Sequence, residues 1–231
     1  MARRTKEDAE KTRQQIMDAA ASVFDAEGVA RCALEHIARN AGVTRGAIYW
    51  HFKNKADLLD AMLERVRLPQ ERVIEDLANG LITDRAPLDL LHEASRDAIG
   101  MIVGDERRRL VFRLLFTRTD VNDEFSVLRA RQASDRNHFM SVIEKVMRRA
   151  ATDGSLAAGW TPPTAARTCY CLFHGTISDL LMLPPDDVDA ERRPAIAAVD
   201  ACMQAIGSRF DPQRQLGSGC LIRLPTDPCG A

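Results

Sequence analysis

The stretch that most constrains this chain is residues 34–52, where two short apolar repeats flank a glycine turn. Leu34, Ile37, Ala38 and Ala41 recur at i, i+3, i+4 and i+7, the spacing of one helix face. Gly42-Val43-Thr44 then supplies a tight turn, and Ala47, Ile48 and Phe52 mark the inner face of a second short helix, predicted over Arg45–His51. Helix, glycine turn, helix is the helix-turn-helix pattern, here spanning about 33–52.

The flanks extend the same logic. Ile16, Ala20, Val23, Phe24 and Glu27 share one face of a helix predicted from about Asp8 to Ala26, and Gly28 stops it. Asn54 and Asp57 have capping-box spacing ahead of Leu58, Leu59, Met62, Leu63 and Val66, so a fourth helix starts there. Pro69 is expected to end or bend it. Beyond Gly80 longer amphipathic helices are predicted near 87–103, 105–118, 122–152, 162–183 and 194–209, separated by Pro87, Gly104-Asp105, Asp153-Gly154, Pro162-Pro163 and Pro184-Pro185. No strand pattern emerges. The expected architecture is all-α: an N-terminal three-helix helix-turn-helix domain over 10–70, a larger helical ligand-binding and dimerisation domain over 71–210, and a flexible tail over 211–231.

Composition narrows the function class. With 231 residues, 45% of them hydrophobic and 28% charged, the chain reads as an ordinary soluble globular protein, with no apolar run of membrane-spanning length. No export signal precedes the first helix, so a cytoplasmic protein is expected, without a membrane partner. Six cysteines, Cys32, Cys169, Cys171, Cys202, Cys220 and Cys229, contain no CxxC pair and are expected as reduced thiols. The net charge of −1 is unevenly spread: the first 55 residues hold ten Lys and Arg against seven Asp and Glu, and four of the five lysines. An anionic partner would meet that end.

The segment TRGAIYWHFKNK (44–55) offers what a recognition helix needs. Arg45, Gly46, Tyr49 and Trp50 fall opposite Ile48 and Phe52 at 100° per residue, so they face outward. Arg45 can fork onto a guanine edge, Gly46 permits close approach, and Thr44, Tyr49 and His51 can donate to phosphates. Lys55 adds charge at the start of the fourth helix, and Arg3, Arg4 and Lys6 form a basic arm for the DNA backbone or a groove. Core aromatics and a solubilising tail are the bland alternative, but one helix face cannot bury Phe52 together with Tyr49 and Trp50.

TRQQIMDAAASVFDAEGVA followed by IARNAGVTRGAIYWHFKNKADLL resembles the N-terminal DNA-binding domain of the TetR family of transcriptional regulators, nearest its AcrR-like branch of multidrug efflux repressors. TPPTAARTCYCLFHG looks like the start of that family's helix eight. The resemblance implies a homodimer through the last two helices, an effector pocket in the C-terminal domain, and DNA contacts at Thr44, Arg45, Tyr49, His51 and Lys55. It also implies repression of an efflux pump operon and of the protein's own gene from a palindromic operator, with small hydrophobic effectors shifting the fourth helix to release it. The chain departs from the family where two threonines usually precede the second helix: Cys32 and Ala33 stand there, and His36 replaces a common Asp. A lost Thr cap costs on the order of 1 kcal/mol.

Pocket walls are expected from Met101, Phe112, Phe116, Phe139, Ile143 and Phe173, with His174 as a polar member. The last two helices keep a 4,3 apolar spacing: Ala166, Tyr170, Phe173, Ile177 and Leu180 in one seam, and Ile196, Val199, Met203, Ile206 and Phe210 in the other. Two such seams per chain suit an intermolecular four-helix bundle, with packing inside one chain as the alternative. Cys169 and Cys171 point apart on a helix, so no resident metal or other cofactor is expected, although a metal- or redox-responsive regulator on this scaffold, or a regulator of a metabolic operon, stays open. There is no nucleophile elbow, dinucleotide loop, Walker loop or HExxH, so the chain is not expected to be an enzyme.

Overall fold

The computed structural model describes residues 2–29, 31–117 and 126–208. Ten helices build it: α1 (Ala2–Glu27), α2 (Leu34–Asn40), α3 (Arg45–His51), α4 (Lys55–Val66), α5 (Pro69–Ala78), α6 (Pro87–Gly104), α7 (Glu106–Thr117), α8 (Ser126–Thr152), α9 (Pro162–Met182) and α10 (Val188–Ile206). Among the described residues the only extended pairing is an isolated bridge between Leu156 and Gly207. No helix among them is long and apolar enough to cross a membrane.

The helix-turn-helix forms for the reasons its sequence suggests. Gly42 takes φ 66°, which an L side chain resists, and its N–H bonds the Arg39 carbonyl while the Val43 N–H bonds that of Ala38. That pair of bonds is a Schellman closure, satisfying the last carbonyls of α2. Thr44 Oγ1 accepts from the Ala47 N–H at 3.1 Å to start α3, and Asn54 Oδ1 accepts from that of Asp57 at 2.8 Å to start α4.

Three boundaries differ from expectation. α1 begins at Ala2, because nothing from Ala2 to Asp8 opposes a helix; its backbone takes in the stretch expected to be a basic arm. Pro69 begins α5 instead of merely ending α4, since proline at the first helical position gives up an N–H that would be unpaired anyway. α10 starts at Val188 and runs through Pro194, six residues ahead of its predicted start. The tail expected over 211–231 and the seam residue Phe210 lie outside the described residues.

Two apolar cores result. The first gathers Ile16, Ala20, Phe24, Ile37, Ile48, Phe52, Leu58 and Met62 from α1–α4; the second gathers Leu77, Ile99, Ile102, Val146, Met147, Ile177, Met203 and Ile206 from α5, α6, α8, α9 and α10. α7 joins them: its Val111 and Leu114 sit in the first core, while its Phe112 packs against both. Arginines reinforce the joint. Arg107 reaches Asp18 at 3.2 Å, Arg113 reaches Asp25 at 2.8 Å, and Arg108 Nε donates to the Val66 carbonyl at the end of α4 at 3.1 Å.

Candidate nucleic-acid interface and cavity

On α3 the two faces separate cleanly. Ile48 and Phe52 are fully buried, while Arg45 and Gly46 are exposed, Tyr49 is 44% exposed and Trp50 73%. A large aromatic left this open on a short helix is a surface awaiting a partner, since burying it would be worth roughly 2 kcal/mol or more. A Cβ built at Gly46 would meet only Thr44 Oγ1 at 3.9 Å, so packing within the chain does not require glycine there. Yet glycine costs about 1 kcal/mol in a helix interior.

Arg45 and Tyr49 are held before any ligand arrives. Glu35 of α2 accepts from the Tyr49 hydroxyl at 3.1 Å and pairs with the Arg45 guanidinium at 3.2 Å, both through the same carboxylate oxygen. Arg45 also lies 5.7 Å from the Tyr49 ring centroid. The backbone N–H of Glu35 and the Tyr49 hydroxyl, aided by Arg45, hold its carboxyl below the usual carboxylate range. Glu35 was not among the candidate residues. Its only sequence signal is an acidic side chain in the first turn of α2, a position that helix dipole alone would explain.

His51 is half-buried, with Trp50 edge-on at 4.5 Å; partial burial and nearby Arg13 push its imidazole pKa down. Lys55 is placed differently from an exposed phosphate contact: it is buried, and its ammonium donates to the Val29 carbonyl at 3.2 Å. The side chains of Arg3 and Arg4 lie outside the described residues. At the start of α2, Ala33 has no side chain to cap the helix, and Cys32 beside it is buried, its Sγ donating weakly to the Ala33 carbonyl at 3.4 Å. Burial, then Glu27, push the Cys32 thiol up to about 11, against a smaller opposing effect of Lys55.

The second feature is a cavity of about 780 Å³ inside the α4–α10 bundle, within the size range of small-molecule sites. Of the expected wall residues, Phe112, Phe139, Ile143, Phe173 and His174 line it. Met101 stands one layer back, its Sδ accepting from the amide of Gln70, which does line the cavity. The side chain of Phe116 lies outside the described residues. Leu63 of α4, Arg67 and Leu68 after it, and Ile74 of α5 also form wall; none was among the expected wall residues, and no helix was expected at α5. Polar side chains join the apolar wall, Glu64, Arg67, Gln70, Ser95, Arg136 and Tyr170 among them, with Arg136 5.7 Å from the Tyr170 ring centroid and burial raising the Tyr170 hydroxyl pKa. Cys169 Sγ on α9 donates to Met203 Sδ on α10 at 3.6 Å, and interaction with Cys202, with burial, raises the Cys169 thiol pKa while the same interaction lowers that of Cys202.

The apolar seams of the last two helices point inward. Ile177, Leu180, Val199, Met203 and Ile206 are buried in the chain's own second core, and Tyr170 and Phe173 line the cavity. These seven residues were expected at a dimer interface. Within this chain the same stripes serve intrachain packing: α9 and α10 pack on α6 and α8, and a 4,3 stripe suits either purpose. What these helices expose instead is a stretch of small residues, including Gly175 on α9 and Ala197, Ala201 and Ala205 on α10.

Comparison with known proteins agrees with this geometry. Residues 16–62 match the model for "Bacterial regulatory proteins, tetR family". The HTH-type transcriptional repressor BepR of Brucella suis biovar 1 is 33% identical over 179 residues, covering 78% of this chain and 85% of that protein. Among solved structures, NalD, described as the secondary repressor of the MexAB-OprM multidrug efflux pump in Pseudomonas aeruginosa, is 33% identical with a TM-score of 0.73, covering 88% of this chain and 100% of its own. A complex of SmeT with triclosan is 33% identical with a TM-score of 0.75, covering 87% of this chain and 95% of that one. SmeT is described as the repressor of the Stenotrophomonas maltophilia multidrug efflux pump SmeDEF.

Proposed function

We propose, for a chain that belongs to the tetR family of bacterial regulatory proteins, that it represses a multidrug efflux operon and its own gene by binding a palindromic operator, and that a small hydrophobic compound releases it. The supporting observation is that one cavity shares its wall with the end of the helix that follows α3: Leu63 and Glu64 of α4, and Arg67 and Leu68 just beyond it, line the space. A guest there bears directly on α4, whose last carbonyl, Val66, is held by Arg108. α4 in turn packs into the first core with Ile48 and Phe52 of α3.

On DNA, α3 enters the major groove, with Arg45 and Gly46 at the base edges and Thr44, Tyr49, Trp50 and His51 beside them. Lys55 takes part in phosphate binding only by sharing its ammonium with the Val29 carbonyl. The α-helical start of the chain carries Arg3 and Arg4 towards the backbone. Two copies associate through the exposed small-residue faces of α9 and α10, presenting two α3 helices to half-sites one helical turn apart, about 34–36 Å. The protein acts in the cytoplasm, where its operator is, and as a regulator it needs no catalytic centre. A cavity whose wall is mostly apolar in area, with polar side chains to orient a guest, suits lipophilic, drug-like or aromatic compounds, in keeping with the triclosan held by SmeT.

The test is a gel-shift titration against the DNA upstream of its own gene, with triclosan as the probe compound. A specific shift that triclosan reverses is expected. Ala98→Phe, which fills the cavity from α6, is expected to keep the shift and lose the response. A chain that binds no such DNA above random sequence, or an Ala98→Phe protein still released by triclosan, overturns the reading.

A further inference from the structure

At the foot of the helix-turn-helix, three metal-ligating side chains of different chemistry converge: Glu27 at the end of α1, Cys32 in the connecting loop and His36 in the first turn of α2. Their ligand atoms all lie within 4.8 Å of one another, and His36 Nδ1 is already 3.0 Å from Glu27 Oε2. We propose that these three residues form a binding site for a divalent transition metal of the zinc class, with the fourth position open to water.

The donor set fits. A thiolate, an imidazole and a carboxylate are the three ligand types zinc takes, and three protein ligands with one open position is an established arrangement for it. Tetrahedral bonds of ordinary length place donor atoms about 3.3–3.6 Å apart. The Glu27–His36 edge is inside that distance and the others need close by only about 1 Å. Glu27 and His36 can make that adjustment, because their side chains are 40% and 38% exposed, whereas buried Cys32 is the fixed point. Neutral imidazole, carboxylate and thiolate carry two negative charges, matching a dication. On binding, the Cys32 thiol gives its proton to solvent, its sulfur lone pair forms the bond to the metal, and its weak contact with the Ala33 carbonyl is replaced. Lys55 acts on the same thiol: it favours the thiolate and opposes the cation, while Glu27 offsets the latter.

The site has a consequence for the interface. Ala33 leaves α2 without a side-chain cap, and a metal would tie the first turn of α2 to the end of α1 in its place. Glu35, the neighbour of His36, is the residue that holds Arg45 and Tyr49. Metal loading is therefore expected to steady the mounting of the recognition helix.

The test uses the reduced, chelator-stripped full chain titrated with cobalt(II). One equivalent is expected to give a thiolate-to-cobalt charge-transfer band in the near ultraviolet, displaced by zinc, and zinc is expected to raise the melting temperature. Cys32→Ser is expected to abolish the band, and His36→Gln and Glu27→Gln to weaken binding at least tenfold. Cys171→Ser, at an exposed cysteine of α9 outside the site, is expected to leave it unchanged. Because His36 is partly exposed, its variant reports on the site even if Cys32→Ser folds poorly. Absence of any thiolate band, or a band that survives Cys32→Ser or is untouched by His36→Gln, overturns the proposal.

Discussion

Asp200 of α10 is the acceptor that locks α10 to α6. Its two oxygens sit 2.6 Å from His92 Nε2 and 2.6 Å from Arg96 Nη1, and His92 is 1% exposed. In Asp200→Ala the ring N–H of His92 loses its acceptor in a place water does not reach, which costs about 1–3 kcal/mol. The Arg96 pair, on a side chain two-fifths exposed, adds no more than about 1 kcal/mol. The expected loss is thus about 1–4 kcal/mol. Asp200→Asn keeps a carbonyl oxygen for His92 and loses only the charge pairing, so its cost should stay near ~1 kcal/mol or below. For a chain of this size each kcal/mol moves the melting temperature by about 2–4 °C, giving a drop of about 2–16 °C for the alanine variant. Urea and thermal unfolding followed by circular dichroism measure both. An alanine variant within about 0.5 kcal/mol of the parent, or an asparagine variant as damaging as alanine, would refute the assignment of the buried His92 bond as the dominant contribution.

The interface predicts its own readouts. Trp50, exposed on α3, should change emission on operator binding, and Trp50→Phe should remove that change; Arg45→Ala should cost about 1–3 kcal/mol of operator affinity and narrow the preference over random DNA. His51 and His174 both have depressed imidazole pKa values, His51 through burial and Arg13, His174 through burial and Arg136. Below the ordinary value of 6.5 the unfolded chain therefore binds protons more readily than the folded one, so stability should fall as pH drops through that window. Urea midpoints measured above and below it should show a shallower fall in the His51→Gln/His174→Gln protein. Ala201→Arg, on the exposed face of α10, should shift the chain from dimer to monomer in sedimentation experiments without lowering its melting temperature as much as Asp200→Ala does; a dimer that persists would place the interface elsewhere.

The helix-turn-helix was legible because its determinants are local. Gly42 must take a positive φ, Thr44 and Asn54 must cap, and Ile48 and Phe52 must face in, so a few neighbours decide each outcome. Pro69 misled because proline ends one helix and begins another with equal ease, and only the packing of Ile74 and Leu77 in the second core shows which happens. The seams of α9 and α10 carry a related ambiguity. A stripe with 4,3 spacing states that a helix face is buried, not whose surface buries it, and Val199, Met203 and Ile206 found theirs inside the chain. Lys55 and Glu35 were invisible in a deeper sense, since one ammonium bonded to the Val29 carbonyl, 26 residues away, and one carboxylate shared by two side chains on the next helix are tertiary facts.

Those tertiary facts shape how release can work. An effector shifts the protein away from DNA only by binding one conformation better than the other, so its contacts must differ between the two. On the proposed function those contacts lie where Leu63 and Glu64 near the end of α4, and Arg67 and Leu68 leading to α5, line the cavity. The remaining wall comes from α5 to α10, whose apolar residues pack in the second core, with α6 and α10 further braced by Asp200 between His92 and Arg96. α4 instead belongs to the first core, is bonded through Arg65 to Gln14 and Asp18 on α1, and meets α7 where Arg108 holds the Val66 carbonyl. A guest that displaces the end of α4 acts on that Arg108 bond. Because Arg65 and the first core carry α1, α3 and α4 together, the displacement passes to the recognition helix as a rigid movement.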